Sequence, residues 1–135
     1  NTMHRLSIAA ALLAVLCCSP VLAEDDVPPP DKTGGIDLRD PAVIERGMQL
    51  LNTTCGGYCH GSNGRGFKAP ALRARPDLTV KSIHSTVLYG RKRAGKMMPP
   101  WKGAIPDSDI WSAVAAIVSL RDAAPDLDGP PPATH

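Results

Sequence analysis

The chain is poor in aromatic side chains, with one phenylalanine, two tyrosines and two tryptophans among 135 residues. Rings bury the most area per residue, so a core built with so few of them is small. Cysteine is scarce too: of four, Cys17 and Cys18 fall in an apolar leader, which leaves Cys55 and Cys59. That excludes a scaffold held together by several disulfides. No apolar run reaches the about 20 residues a transmembrane helix needs; the longest, Leu6 to Cys18, is broken at Ser19-Pro20. The length admits one compact domain and excludes a (β/α)₈ barrel, which takes about 250 residues. Glycine and proline are abundant instead, 12 and 14 residues, which predicts much loop and turn.

Met3-His4-Arg5 ahead of the apolar run, and Val21-Leu22-Ala23 behind Pro20, give the charged start, apolar centre and small-residue end of a secretory signal. Residues 1–23 are read as that signal, cleaved after Ala23, and the product as periplasmic. No stable membrane anchor is read. Residues 24–35, acidic and proline-rich, are read as a disordered lead-in, and 125–135 as a proline-rich tail. The folded domain is then 36–124.

Three helices are predicted within it. Asp40-Pro41 is a start signal, followed by Val43, Ile44, Gly47, Met48, Leu50 and Leu51 at helical spacing. Thr79 opens a second, with Ile83, Val87 and Leu88 behind it and Gly90 to stop it. The third begins near Asp107 or Ser108, with Ile110, Trp111, Val114, Ile117 and Val118 as its buried stripe. Nothing reads as a strand pair, so the expected class is all-α.

The chemistry concentrates in Cys55-Gly56-Gly57-Tyr58-Cys59-His60. Two cysteines followed at once by histidine are the pattern of c-type haem attachment, which ordinarily has two residues between the cysteines; here there are three. Each thiol can add to a haem vinyl group while the imidazole ligates iron. A separation of four still keeps both thiols on one helical face, and Gly56-Gly57 can absorb the extra residue as a local bulge. A strained disulfide and a zinc site are the competing readings; zinc would need a fourth ligand, with only His84 and His135 at hand. Downstream, Met97-Met98-Pro99-Pro100-Trp101 offers a thioether for the second axial position. Met98 is the first choice, Met97 the second and His84 a distant third.

With these features in order, the stretch from Asp40 to Leu120 resembles a class I c-type cytochrome. The resemblance implies a small helical fold wrapped around one covalently attached haem c. Its first and last helices would cross at Gly47 against Ala115 or Ala116. Gly64 to Leu72 looks like the family loop whose proline carbonyl accepts a hydrogen bond from the ligating histidine, which would give Pro70 the task of orienting His60. Cofactor-binding residues are thus Cys55, Cys59, His60, Met98 and Pro70, with His60 and Met98 on the metal. Leu51 and Ala116 stand where an aromatic is usual, which predicts a weaker or differently packed crossing. A core this small is expected to be largely unfolded without its haem.

Arg65, Lys68, Arg73, Arg75, Lys81, Arg91, Lys92, Arg93, Lys96 and Lys102 face only Asp77 within their own stretch, while both flanks are acidic. Such a cluster can steer an acidic redox partner; with an export signal, nucleic acid is not expected. No catalytic base, nucleophile or substrate cleft is legible, so the expectation is a carrier rather than an enzyme. It would pass single electrons from a dehydrogenase to an oxidase or another cytochrome. By resemblance, a quinoprotein alcohol dehydrogenase is one candidate donor. The alternatives are an open-haem enzyme or sensor, if Met98 does not ligate, and a haem-free metal-binding module.

Overall fold

The computed structural model describes residues 25–124; the signal read at 1–23 and the tail read at 125–135 lie outside the described residues. Helix α1 (Pro41–Leu50) begins at its predicted cap, where the Asp40 side chain accepts a hydrogen bond from the Ala42 N–H and Pro41 fills the first turn. It runs on directly into a π-helical segment, Leu51–His60. A short 3₁₀ turn, Ser62–Gly64, and a loop lead to α2 (Val80–Tyr89). The start of α2 carries a capping box: Thr79 and Ser82 each donate a backbone N–H to the other's hydroxyl at 3.1 Å. Strands β1 (Arg91–Arg93) and β2 (Lys96–Met98) then form an antiparallel hairpin, and α3 (Asp107–Arg121) closes the chain.

The last helix is more deeply set than the predicted stripe. Ile110, Ser112 to Val118, Leu120 and Arg121 are all buried, and Trp111 only partly so. A helix buried on every side is a central one: α1 packs across it, α2 lies against it, and the N-terminal arm reaches its far end. Leu38, Leu51, Val80, Ile83 and Val87 complete the core around it.

Gly47 sets the angle of approach. A Cβ at that position would overlap the Ser112 carbonyl and come within 2.8 Å of the Ala116 methyl. The crossing therefore centres on Ser112 and Ala116, and Leu51 and Ala116 are both fully buried beside it. Small residues let the two backbones close the space that a ring would otherwise fill.

Two expectations are corrected. The absence of a strand pair does not hold: β1 and β2 pair Arg91 with Met98, Lys92 with Met97 and Arg93 with Lys96. Ala94 and Gly95, both at positive φ (49° and 76°), make the two-residue turn between them, the backbone form that tight hairpins favour. The lead-in read as disordered over 24–35 is likewise part of the fold from Asp25 on. Pro30–Lys32 forms a 3₁₀ turn, and Thr33 is fully buried with its hydroxyl against the Pro30 and Ile36 carbonyls. Asp26 accepts hydrogen bonds from the Arg121 guanidinium at 2.7 and 3.0 Å and from the Val80 N–H at 2.6 Å. Arg121 is only 9% exposed. A guanidinium buried that far needs carboxylate partners; Asp122 supplies one at 3.1 Å and the arm supplies the other.

Candidate functional site

Leu51–His60 keeps the helical path of α1 but widens it to i→i+5 closure, its end marked by the Gly61 N–H donating to the Gly56 carbonyl at 2.9 Å. Such widening accommodates an inserted residue in a helix and recurs at functional sites, and both cysteines lie within it. Gly56 makes it sterically feasible, because a Cβ there would stand 2.9 Å from the Gly61 carbonyl oxygen and 3.0 Å from that of Leu51. Gly57 has open space around it, so of the two glycines only Gly56 is required by contact. Cys55 and Cys59 are half-buried free thiols. Burial, and then the neighbouring Cys59, push the Cys55 thiol above its ordinary pKa.

The loop after His60 folds back over this turn. Ala69 and Gly66 donate their N–H groups to the carbonyls of Cys59 and His60 at 2.9 and 2.7 Å, occupying acceptors that a helix end leaves open. A pair of side-chain amides adds a second fastening: the Asn63 N–H donates to Asn52 Oδ1 at 2.7 Å, and Asn52 Nδ2 donates to Asn63 Oδ1 at 3.0 Å. Sequence reasoning missed this pair; its one signal was the Asn63-Gly64 turn dipeptide, with Asn63 at φ 53°.

This return brings Pro70 to His60. Burial pushes the imidazole below its ordinary pKa, and the Pro70 carbonyl opposes that shift. Nδ1 of His60 is nonetheless buried without a hydrogen bond of normal geometry. The Pro70 oxygen is thus near enough to act on the ring but is not squarely aligned with it. A neutral imidazole is the form in which histidine ligates a metal.

Met98 and Met97 are separated by the hairpin. Paired opposite Arg91 and Lys92 respectively, they point to opposite faces of the ribbon. Met98 is half-buried and packs against the same core as Cys55, whereas Met97 is 71% exposed. His84 is engaged elsewhere, stacked on Trp111 with ring centroids 3.8 Å apart and planes 9° from parallel. Cations border the turn: Lys68 Nζ lies 3.4 Å from the centre of the exposed Tyr58 ring, and Lys96 Nζ donates to the Lys68 carbonyl at 3.3 Å. Arg91 to Met97 is exposed throughout.

The two thiols are not bonded to each other, and among the described residues no group of three or more His, Cys, Asp or Glu side chains is placed to hold a metal ion. Two thiols and a neutral imidazole with an orphaned nitrogen, on one turn of a helical frame, do fit a haem c. Together they define a c-type cytochrome domain. Residues 42–115 match the family described as cytochrome c oxidase, cbb3-type, subunit III, and the chain belongs to that family. No curated protein and no solved structure matches it. Membership makes it a haem-based electron-carrier domain with covalently bound haem c. No helix among the described residues is long and apolar enough to cross a membrane.

Proposed function

We propose that the chain is an exported single-haem carrier, taking one electron at a time from a periplasmic dehydrogenase and passing it to an oxidase or another cytochrome. The observation that carries the reading is the π-helical turn, which presents Cys55, Cys59 and His60 together. Cys55 and Cys59 would anchor the haem, His60 and Met98 would ligate its iron, and the Pro70 carbonyl would orient His60. When bound, the haem supplies one-electron exchange between ferrous and ferric iron. A thioether ligand from Met98 would raise the potential and keep other ligands out, which suits a carrier and not an open catalytic centre. The half-buried setting of Met98, against the 71% exposure of Met97, supports the choice between them.

The cations of the hairpin, with Lys68 beside Tyr58, support an acidic redox partner drawn in by long-range attraction. A quinoprotein alcohol dehydrogenase is one such donor. Electron transfer from it should slow as ionic strength rises; a rate flat from low to high salt removes the steering.

The reading is tested by the absorption spectrum of protein matured with the haem-attachment machinery. The weak far-red band of a sulfur-ligated ferric haem is expected, abolished by Met98→Ala and retained in Met97→Ala. A high-spin spectrum would make the site an open haem, and the absence of any haem absorption would end the reading.

A further inference from the structure

We propose that Gly90 is the positioning residue for the Met98 sulfur, so that the end of α2, rather than the bond to iron, fixes where Met98 stands. The proposal rests on Met98 as the axial ligand.

Gly90 closes α2, donating its N–H to the Thr86 carbonyl at 2.9 Å. Its backbone lies at φ 72°, ψ −178°, a region that only glycine occupies readily. The Met98–Pro100 backbone rests directly on its bare Cα. A Cβ there would run into the Met98 carbonyl oxygen and stand 2.9 Å from Pro100 N and 3.0 Å from the Pro99 carbonyl carbon. Each of these is a backbone atom, so none can swing aside as the tip of a side chain can.

The segment is then pinned on both sides of that contact. Upstream, Met98 is paired with Arg91, the residue next to Gly90. Downstream, the Trp101 and Lys102 N–H groups donate to the Val87 and Leu88 carbonyls at 3.0 and 3.1 Å. These are acceptors in the last turn of α2. Pro99 and Pro100 have fixed φ, so little slack remains between the two attachments. One helix end therefore grips the methionine segment before it, beneath it and after it.

Two other glycines separate this contact from simple backbone strain. Gly95 and Gly103 also have positive φ, 76° and 78°, and a Cβ at either would meet nothing within 4 Å. An alanine at Gly95 or Gly103 incurs conformational strain alone. At Gly90 it also displaces the residue that carries the sulfur.

The test uses the holoprotein with imidazole as a competing ligand for ferric iron. Apparent affinity rises as the sulfur spends less time on the metal, so Gly90→Ala should lose most of the far-red band and bind imidazole about tenfold more tightly, whereas Gly95→Ala should stay within about twofold. In a Met98→Ala background, where there is no sulfur to place, Gly90→Ala should change imidazole affinity by less than about twofold. Gly90→Ala with the parent's band and affinity overturns the proposal; so does an undiminished effect in the Met98→Ala background, which would mark a general structural role. If Gly90→Ala yields no holoprotein, hydrogen exchange on Met98→Ala holoprotein decides. Protection of the Trp101 and Lys102 amides within about tenfold of the parent supports the proposal, and protection as low as in an open loop overturns it. A parent protein without the far-red band overturns the ligand assignment itself, and is recognisable before any variant is made.

Discussion

His60 and Met98 are held by different kinds of structure. The histidine ends a helical path that is continuous with α1, and α1 is locked across the most buried helix of the molecule at Gly47. The carbonyls around it are occupied by a returning loop. The methionine sits on a ribbon whose other residues are exposed, and which meets the frame through the end of α2. Local opening follows the sparsest contacts, so the sulfur side should open well before the imidazole side. On the proposed assignment that asymmetry would have a use: the histidine end, with its covalent attachment, would keep the haem in place, while the methionine would tune the iron.

The largest effect expected is one that erases the difference by destroying the frame beneath both sides. Gly47→Ala places a methyl group on the Ser112 carbonyl. Overpacking against backbone forces α1 and α3 apart, at a cost of about 3 kcal/mol. Thermal unfolding of the holoprotein should show both spectroscopic signatures, the far-red band and the main haem band, failing together at a lower temperature. Separate transitions would mean that the crossing does not support both sides.

The next change loosens α2 from the end opposite Met98. Asp26→Asn removes one of the two carboxylates on a buried guanidinium, leaving Asp122 at 3.1 Å, and weakens the acceptor for the Val80 N–H, for a loss of about 2 kcal/mol. The dependence on pH has a definite sign. The Arg121 hydrogen bond, against the opposing effect of burial, holds the Asp26 carboxyl below the ordinary carboxylate value of 3.8. Its contribution is complete above that value and is lost as pH falls through the lowered one. The parent should therefore lose stability on that acid limb more steeply than Asp26→Asn does, by denaturant unfolding at a series of pH values. Parallel curves would show that the clasp contributes nothing.

How much of this was legible varied with how local its causes are. Asp40-Pro41, Thr79 and Gly90 announced their helix ends because a cap is made by neighbours in sequence. The Cys55–His60 pattern announced the family, and the segment in which a bulge was expected at Gly56-Gly57 is π-helical, with Gly56 alone enforced by contact. The hairpin was not legible: Arg-Lys-Arg and Lys-Met-Met have neither β-branched residues nor alternation, and Ala94-Gly95 is not a strong turn signal. It forms because the α2 end and the Met98–Pro100 backbone fit against each other. The N-terminal arm was misread for a similar reason, since the partner that orders Asp26 is Arg121, at the other end of the domain.

A third change weakens the imidazole side alone. Asn52→Ala removes the amide pair that fastens Asn63 to the π-helical segment. The pair is exposed, so the expected loss is about 1 kcal/mol. Hydrogen exchange should accelerate at Gly66 and Ala69, whose N–H groups cover His60 and Cys59, and stay as it was at Trp101 and Lys102. Faster exchange at both places would mean that the two sides open as one unit.

The smallest expected effect sharpens the comparison from the sulfur side. Ala94 adopts φ 49° as the first residue of the hairpin turn, a conformation in which an ordinary L-residue is disfavoured and asparagine is better tolerated. Ala94→Asn turns the loop into Asn-Gly, the pair that tight hairpin turns prefer. If the end of α2 already fixes Met98, a better turn adds little: imidazole should displace the sulfur at about twofold higher concentration, equivalent to about 0.4 kcal/mol. A much larger gain would show the ribbon's own pairing, and not its seat on Gly90, to be the weak link in holding the methionine.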